Sequence, residues 1–428
     1  MSEQVELYPL STIAEINPSV SIAGLPDNHL ISFVGMADVS ERGQLRQKHD
    51  RFLKEVKAGF TRFKDDDLLF AKITPCMENG KGAHAKRLKS GLGFGSTEFH
   101  VLRAKEDAES SFIFQVLQSR ELRLKAETRM TGSAGQQRVP SDFFSWYKTY
   151  IPSISEQRKI ARILTTVDAV IENNEAAIAK FKAIKQGMMH DLFTRGLDEN
   201  GRLRPRYEDA PHLYKQTELG WVPVAWDVVR IEQVSTLVTN GFVGTATPYY
   251  SNSDRGVLYL FGTNIRPNEI TFDDIRFVTR EFNDKQIKSQ LRTGDMLTVQ
   301  SGHIGTSAIV PTDFIEANCH ALIITRFIMS EIYPWFVSYY LNSKMGMKDM
   351  EKLFVGSTIK HINTSELARH LILKPHIDEQ KSIANKIDGM GKVIQNAHNN
   401  LCKMKSIKQG LMSDLLTGTK RVNTDSVM

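Results

Sequence analysis

The chain contains a long copy of part of itself. Residues 152–194 (PSISEQRKIARILTTVDAVIENNEAAIAKFKAIKQGMMHDLFT) align without a gap with residues 375–417 (PHIDEQKSIANKIDGMGKVIQNAHNNLCKMKSIKQGLMSDLLT), and 19 of the 43 positions are identical. Ordinary residue usage gives roughly two or three. A repeat of this strength constrains the architecture more than any local propensity. Weaker echoes precede each copy in the same order: Asp67-Leu68-Leu69 against Asp295-Met296-Leu297, then Glu98-Phe99-His100-Val101-Leu102 against Asn318-Cys319-His320-Ala321-Leu322, then Gly132-Ser133 against Gly356-Ser357. The sequence is therefore a tandem duplication, each unit a diverged globular part followed by a better-preserved helical part.

In the helical copies the apolar residues follow a heptad. Ile160, Val167, Phe181 and Met188 share one position, with Ile163, Val170 and Ile184 three residues on, and Leu164, Ile171, Ile178 and Leu192 widen the stripe. The second copy keeps the phase with Ile383, Met390, Met404 and Leu411, then Val393 and Ile407, then Ile387, Ile394, Leu401 and Leu415. Three apolar positions in seven mark a helix that packs on another helix. Two matching stripes in one chain are most simply buried against each other, and topology favours an antiparallel coiled coil, because each helix must return from its own domain towards the other. Ser155 and Asp378, each three residues after a proline, are read as N-caps. Asn174 and Asn400 interrupt the stripe and either set register or sit at its margin.

The globular parts, residues 1–151 and 226–374, carry short β-type runs such as residues 29–34, 256–261 and 321–324, and each has one helix late on, over 110–126 and 333–352. Each reads as a mixed α+β domain. The predicted order is domain 1 (1–151), spacer helix 1 (152–195), linker (196–225), domain 2 (226–374), spacer helix 2 (375–418) and a tail (419–428). The linker is assigned because residues 196–224 mix Gly, Pro and charge without periodicity.

Bulk properties exclude more than they select. At 428 residues the chain exceeds one ordinary core, and 55 Lys and Arg against 49 Asp and Glu weakly favour a polyanionic partner. Cys76, Cys319 and Cys402 are too scattered for a zinc site or a disulfide framework, and no apolar stretch is long enough for a membrane span. The start lacks the features of a signal peptide, so a cytoplasmic location is expected. No P-loop and no Asn/Asp-Pro-Pro-aromatic tetrapeptide is present. The one glycine-rich run, residues 91–95, leads into a strand-like segment. His100 and His320 sit in apolar runs and read as core histidines. The expectation is a non-catalytic chain without metal or cofactor of its own.

Gly132-Ser133, Pro152-Ser153-Ile154-Ser155-Glu156-Gln157 and residues 185–196, repeated as Gly356-Ser357, Pro375-His376-Ile377-Asp378-Glu379-Gln380 and residues 408–418, resemble the specificity subunit of Type I restriction-modification systems. The phrase ELGWVPVAW over 218–226 is similar to that family's lead-in to its second domain. The resemblance implies that each domain reads one half of a split, asymmetric target in double-stranded DNA. The helices then set the unread gap and dock two adenine-methylating subunits, and a translocating nuclease subunit joins. S-adenosylmethionine, ATP and magnesium are expected on those partners.

Candidate DNA-binding residues follow from side-chain chemistry. Gln136, Gln137 and Arg138, and their counterparts Thr358, Lys360, His361 and Asn363, occupy the same place in both units with different polar groups, as readers of different half-sites would. Lys72, Lys81, Lys86 and Arg87, with Gln300 and His303 in the second unit, come next. Arg42, Arg46, Lys48 and Arg51 form a further basic cluster. The helix-pair interface is assigned to Ile160, Val167, Ile171, Phe181, Met188, Ile383, Met390, Ile394, Met404 and Leu411. Two other classes remain open from sequence: a coiled-coil adaptor that binds only protein, and a stand-alone DNA-modifying enzyme.

Overall fold

The computed structural model describes residues 6–133, 135–313, 316–354 and 360–423. The chain divides into two compact units, Met1–Ala176 with Asn399–Met428, and Ala177–His398.

In the first unit a four-stranded sheet has the order Ala14–Ile16, Phe99–Ala104, Leu68–Ala71, Gly82–His84. A second runs His49–Phe52, Leu30–Val34, Leu92–Gly95, Thr61–Lys64, its central pair parallel. Leu68–Ala71 is buried at every position, which explains its unbroken apolar sequence: a strand covered on both faces has no polar side to alternate with. The glycine-rich run is strand Leu92–Gly95. A Cβ on Gly93 would lie 2.1 Å from the Phe63 ring, so the glycine is there for packing. Strand Leu7–Pro9 pairs with Lys148–Tyr150 just before the long helix.

The second unit repeats this plan: Ser235–Asn240, Leu322–Phe327, Met296–Val299, Ser307–Ile309 in one sheet, and Tyr250–Ser251, Arg276–Thr279, Gly256–Leu260, Ala317–Cys319 in the other. Gly256–Leu260 and Ala317–Cys319 form its parallel pair, and Asp227–Arg230 pairs with Leu371–Lys374 before the second long helix.

A buried ion pair fixes the equivalence of the two sheets. Asp67 accepts from Arg103 at 2.7 and 2.7 Å and from the Lys64 amide at 2.8 Å. Asp295 accepts from Arg326 at 2.8 and 2.7 Å and from the Arg292 amide at 2.8 Å. This register corrects the pairing of His100 with His320. His100 lies inside a strand opposite Phe70, where the second unit has Ile323 opposite Thr298, and His320 precedes that strand altogether. The sequence echo had slipped by three residues because both segments are short and apolar.

Each predicted late helix is two helices. Ser110–Gln118 and Arg120–Glu127 are separated by Ser119, whose hydroxyl accepts the Leu122 amide at 3.2 Å. Pro334–Leu341 and Lys344–Met350 are separated after Leu341, and Ser343 accepts the Gly346 amide at 3.1 Å. A serine that can cap a new helix ends the old one.

The long helices span Ile154–Thr194 and Ile377–Leu416. They begin one residue before the expected caps, so Ser155 and Asp378 lie inside them. Ser153 is the residue that caps the first, accepting the Glu156 amide at 3.3 Å. Within the first unit, Asp168 pairs with Lys408 and Glu175 with Lys405, so the residue numbers run in opposite directions and the helices are antiparallel. Ile160 and Leu164 share a core with Leu415 and Leu416 there. In the second unit Leu192 and Phe193 share one with Ile383 and Ile387. The buried stripe runs through Ile160, Leu164, Ile171, Ile178 and Leu192, while Val170, Ile184, Val393 and Ile407 are exposed. Asn400 is exposed, and Asn174 donates to the Val170 carbonyl of its own helix at 2.8 Å.

The stretch read as a linker is structured. A hairpin, Tyr214–Thr217 with Gly220–Pro223, stacks Trp221 on Tyr207 at 4.3 Å and delivers Val222 and Trp226 to the second unit's core. Turn-rich composition hides it, since each of its strands is only four residues long, too short to show a period.

Candidate nucleic-acid interface

The first unit brings together the loops on either side of its central strand. The Val139 amide donates to the Lys72 carbonyl at 2.9 Å, and the Thr74 amide to the Gln137 carbonyl at 3.0 Å. Lys72 is thereby held beside Gln136, Gln137 and Arg138. Gln136 is exposed, and Gln137 partly so. Arg138 is engaged: its guanidinium donates to both oxygens of Glu98, at 2.9 Å and 2.9 Å for the two shortest contacts. That hydrogen bonding holds the Glu98 carboxyl below its ordinary range. Glu98 was not singled out from sequence, where nothing links it to a residue 40 positions away. Below the loop, His100 is buried, donating to the Val139 carbonyl at 2.8 Å, with its pKa lowered by burial.

The other first-unit candidates fall elsewhere. Lys81 donates to the Met36 carbonyl at 3.1 Å. Lys86 and Arg87 follow the edge strand and are exposed, and Lys48 donates to their carbonyls at 3.2 and 2.6 Å. Arg42 is tied to Glu175 of the long helix, so the basic cluster is divided: one arginine braces the domain, while Arg46, Lys48 and Arg51 face solvent.

In the second unit the Ile362 amide donates to the Gln300 carbonyl at 3.1 Å, the same bond that Val139 makes to Lys72. Gln300 and Lys72 each follow directly on the central strand. Lys360, His361 and Asn363 are exposed on the adjoining segment; Thr358, with Gly356 and Ser357, lies outside the described residues. Asn363 leads into the helix Thr364–Arg369, its amide capped by Glu366 at 2.9 Å. The His303 ring donates to the Ile265 carbonyl at 3.0 Å. Two residues not chosen from sequence join this edge: Asn240, at the end of its strand, accepts from Gln300 at 2.7 Å and from the Thr364 hydroxyl. Neither belongs to a motif, so only the fold brings them there.

The Glu-Gln pair at the start of each long helix is a joint. Gln157 accepts the Glu109 amide at 3.0 Å and donates to the Pro152 carbonyl at 2.9 Å. Gln380 accepts the Tyr333 amide at 2.8 Å and donates to the Glu331 and Pro375 carbonyls at 2.9 and 2.8 Å. Each glutamine so fixes the start of a domain helix to a long helix. Of the assigned interface residues, Ile160, Ile171 and Ile383 are buried, and Val167, Phe181, Met188, Met390, Ile394, Met404 and Leu411 are partly buried. Among the described residues no cluster of three His, Cys, Asp or Glu side chains is arranged to hold a metal, and no helix is long and apolar enough to cross a membrane.

Two copies of one α+β domain with unlike polar loops at one edge, each followed by half of a helix pair, define a class of recognition protein built by duplication. The chain belongs to the family of the Type I restriction modification DNA specificity domain, whose pattern matches it twice, over residues 7–183 and 223–403. It is 26% identical over 339 residues to the Type I restriction enzyme MjaVIII specificity subunit of Methanocaldococcus jannaschii, covering 78% of this chain and 75% of that one. It is 42% identical over 164 residues to the EcoEI specificity subunit of Escherichia coli, covering 37% of this chain and 27% of the relative. Its fold is similar to that of the Type I restriction-modification S subunit from M. genitalium, with a TM-score of 0.55 at 13% identity over 97% of each chain. A second solved chain, of a type I R-M system, gives a TM-score of 0.54 at 16% identity over 97% of this chain and 95% of that one. The role of a specificity subunit is recognition, not catalysis.

Proposed function

We propose that the two domains read the two halves of a split, asymmetric DNA sequence, and that the helix pair sets the gap between them. The observation that carries this is the matched pair of backbone bonds, Val139 to Lys72 and Ile362 to Gln300, which present different side chains from one and the same scaffold. Two unlike readers on one chain give an asymmetric bipartite target, where a symmetric dimer gives a palindrome. Gln136, Lys360 and His361, which are exposed, and Gln137, which is partly so, carry donors and acceptors suited to base edges. Lys86, Arg87 and Arg46 are suited to phosphates. Arg138, being paired with Glu98, acts by holding its loop.

The exposed apolar residues Val170, Ile184, Val393 and Ile407 sit at repeat-related positions, 170 with 393 and 184 with 407. A surface that is kept in both copies while the readers diverge suits a partner present twice, two methyltransferase subunits. A nuclease and translocase subunit completes the complex, in the cytoplasm, and the methyl donor, ATP and magnesium belong to those partners.

The test is to co-express the chain with its methyltransferase and map N6-methyladenine across the host genome. A split motif that disappears when the chain is withheld is the expected result. Methylation that does not depend on the chain would favour a protein-only adaptor. Exchanging residues 1–151 for another reader should change one half-site alone, and removing one heptad from each helix should change the gap or abolish methylation.

A further inference from the structure

We propose that Gln300 and Asn240 together form a base-reading pair of the second domain, and that the base they take is adenine. The inference rests on the DNA-reading role proposed above and adds to it the residues and the base.

Three segments distant in sequence converge here. Asn240 ends the strand Ser235–Asn240, Gln300 follows the buried strand Met296–Val299, and Thr364 opens the short helix Thr364–Arg369. Gln300 donates its amide N–H to Asn240 Oδ1 at 2.7 Å, and the Thr364 hydroxyl donates to the same oxygen. A carbonyl oxygen has two lone pairs, so Asn240 Oδ1 is fully used. What the pair still offers is the Asn240 Nδ2 amine, a donor, and Gln300 Oε1, an acceptor. Neither has a protein partner among the described residues.

That residue of donor and acceptor selects a base. In the major groove guanine presents two acceptors, cytosine a donor, thymine an acceptor and a methyl group, whereas adenine presents the N7 acceptor beside the N6 donor. Asn240 Nδ2 complements N7 and Gln300 Oε1 complements N6, and only adenine satisfies both from a single base. The pair is also preorganised. The Gln300 backbone is clamped by the Ile362 amide at 3.1 Å, and its side chain is held by Asn240, so little rotamer freedom remains to be lost on binding. In the first domain the same backbone position carries Lys72, which is the divergence expected where a position decides which base is read.

The experiment uses the full chain purified with its co-expressed methyltransferase and a random-sequence duplex library, with enriched duplexes sequenced. For the unchanged chain a split motif with adenine at a defined position is expected. Gln300→Ala and Asn240→Ala should each relax the preference at that one position by on the order of 10- to 100-fold and leave the other half-site intact, which also reports that the complex is folded. Gln300→Glu, of the same size, replaces the amide N–H that holds Asn240 with a second acceptor and should move the preference towards cytosine, whose N4 amine donates; Gln300→Lys should move it towards guanine. A motif unchanged in every variant, or binding lowered equally for all sequences as a phosphate contact would give, overturns the proposal. So does a change in both half-sites. If the unchanged complex enriches no motif, the DNA-reading role fails and the pair falls with it, a result distinct from an intact motif that ignores these residues.

Discussion

Glu156, near the start of the first long helix, grips Arg421, just beyond the end of the second, through bonds of 2.8 and 2.7 Å across 265 residues of sequence. The relationship is reciprocal in the repeat. Glu379 of the second helix holds Arg204, beyond the end of the first, at 2.6 and 3.0 Å, and takes the Leu197 amide at 2.7 Å. Each glutamate of the duplicated Glu-Gln pair therefore fastens the chain that leaves the other helix, while the neighbouring glutamine fastens its own domain. Antiparallel pairing requires this arrangement, because it places each helix start beside the other helix end.

Removing Arg421 should weaken the first unit. Burial pushes the Glu156 carboxyl up, but the Arg421 guanidinium, the Val422 amide and the Tyr150 hydroxyl together hold it below the usual carboxylate range. Its contribution is complete above the unfolded-state value near 4.3 and is lost as pH falls below that. Arg421→Ala leaves the carboxylate buried with fewer partners, at a cost of about 1–3 kcal/mol. Urea unfolding at pH 7 and at pH 3.5 checks it: the gap between variant and parent should narrow in acid.

His370 should make the second unit sensitive to mild acid. The ring is buried, its Nε2 has no partner among the described residues, and burial lowers its pKa to about 4. The unfolded chain takes up a proton near 6.5, the folded one only near 4, so stability falls as pH drops through that window. His370→Gln, which cannot titrate, should flatten the stability profile between pH 6.5 and 4. An unchanged slope would place the acid sensitivity elsewhere.

The buried carboxylates at the sheet centres should be indispensable to their own domains. Asp67→Asn or Asp295→Asn leaves Arg103 or Arg326 without its charged partner, with an expected loss of about 3–5 kcal/mol. Hydrogen exchange should show the loss of protection concentrated in the sheet that carries the substitution.

The exposed apolar positions should serve partners and contribute little to stability. Ile184→Asp with Ile407→Asp should change the unfolding free energy by no more than about 0.5 kcal/mol per site and abolish co-purification with the methyltransferase. Retained co-purification would place the docking surface elsewhere.

Phosphate contacts should be separable from reading. Lys86→Ala with Arg87→Ala should weaken binding to all duplexes alike and reduce the slope of log affinity against log salt by roughly 0.9 for each lost contact. A changed motif would instead make them readers.

The duplication, the two domains, the long helices and their pairing were legible because they rest on periodicity and self-similarity, which are properties of the chain itself. Its pattern could not say which of two neighbouring stripes is buried. Val170 and Ile184 are as apolar as Ile171 and Ile178, and the choice was made by what the crossing helix covers. Ser119 and Ser343 broke helices that looked continuous, because a capping hydroxyl competes with the turn that precedes it. Polar residues at repeated places marked the two loops that the fold sets beside Lys72 and Gln300, but not how their side chains are engaged. Arg138 looks free until Glu98 is folded against it, and Asn240 is unremarkable until Gln300 and Thr364 arrive from 60 and 124 residues away. The sequence by itself determined that there are two readers and one helix pair. Which polar side chains are spent on holding the scaffold, and which are left exposed, was decided only by the tertiary structure, since a hydrogen bond between distant residues has no period and leaves no pattern to read.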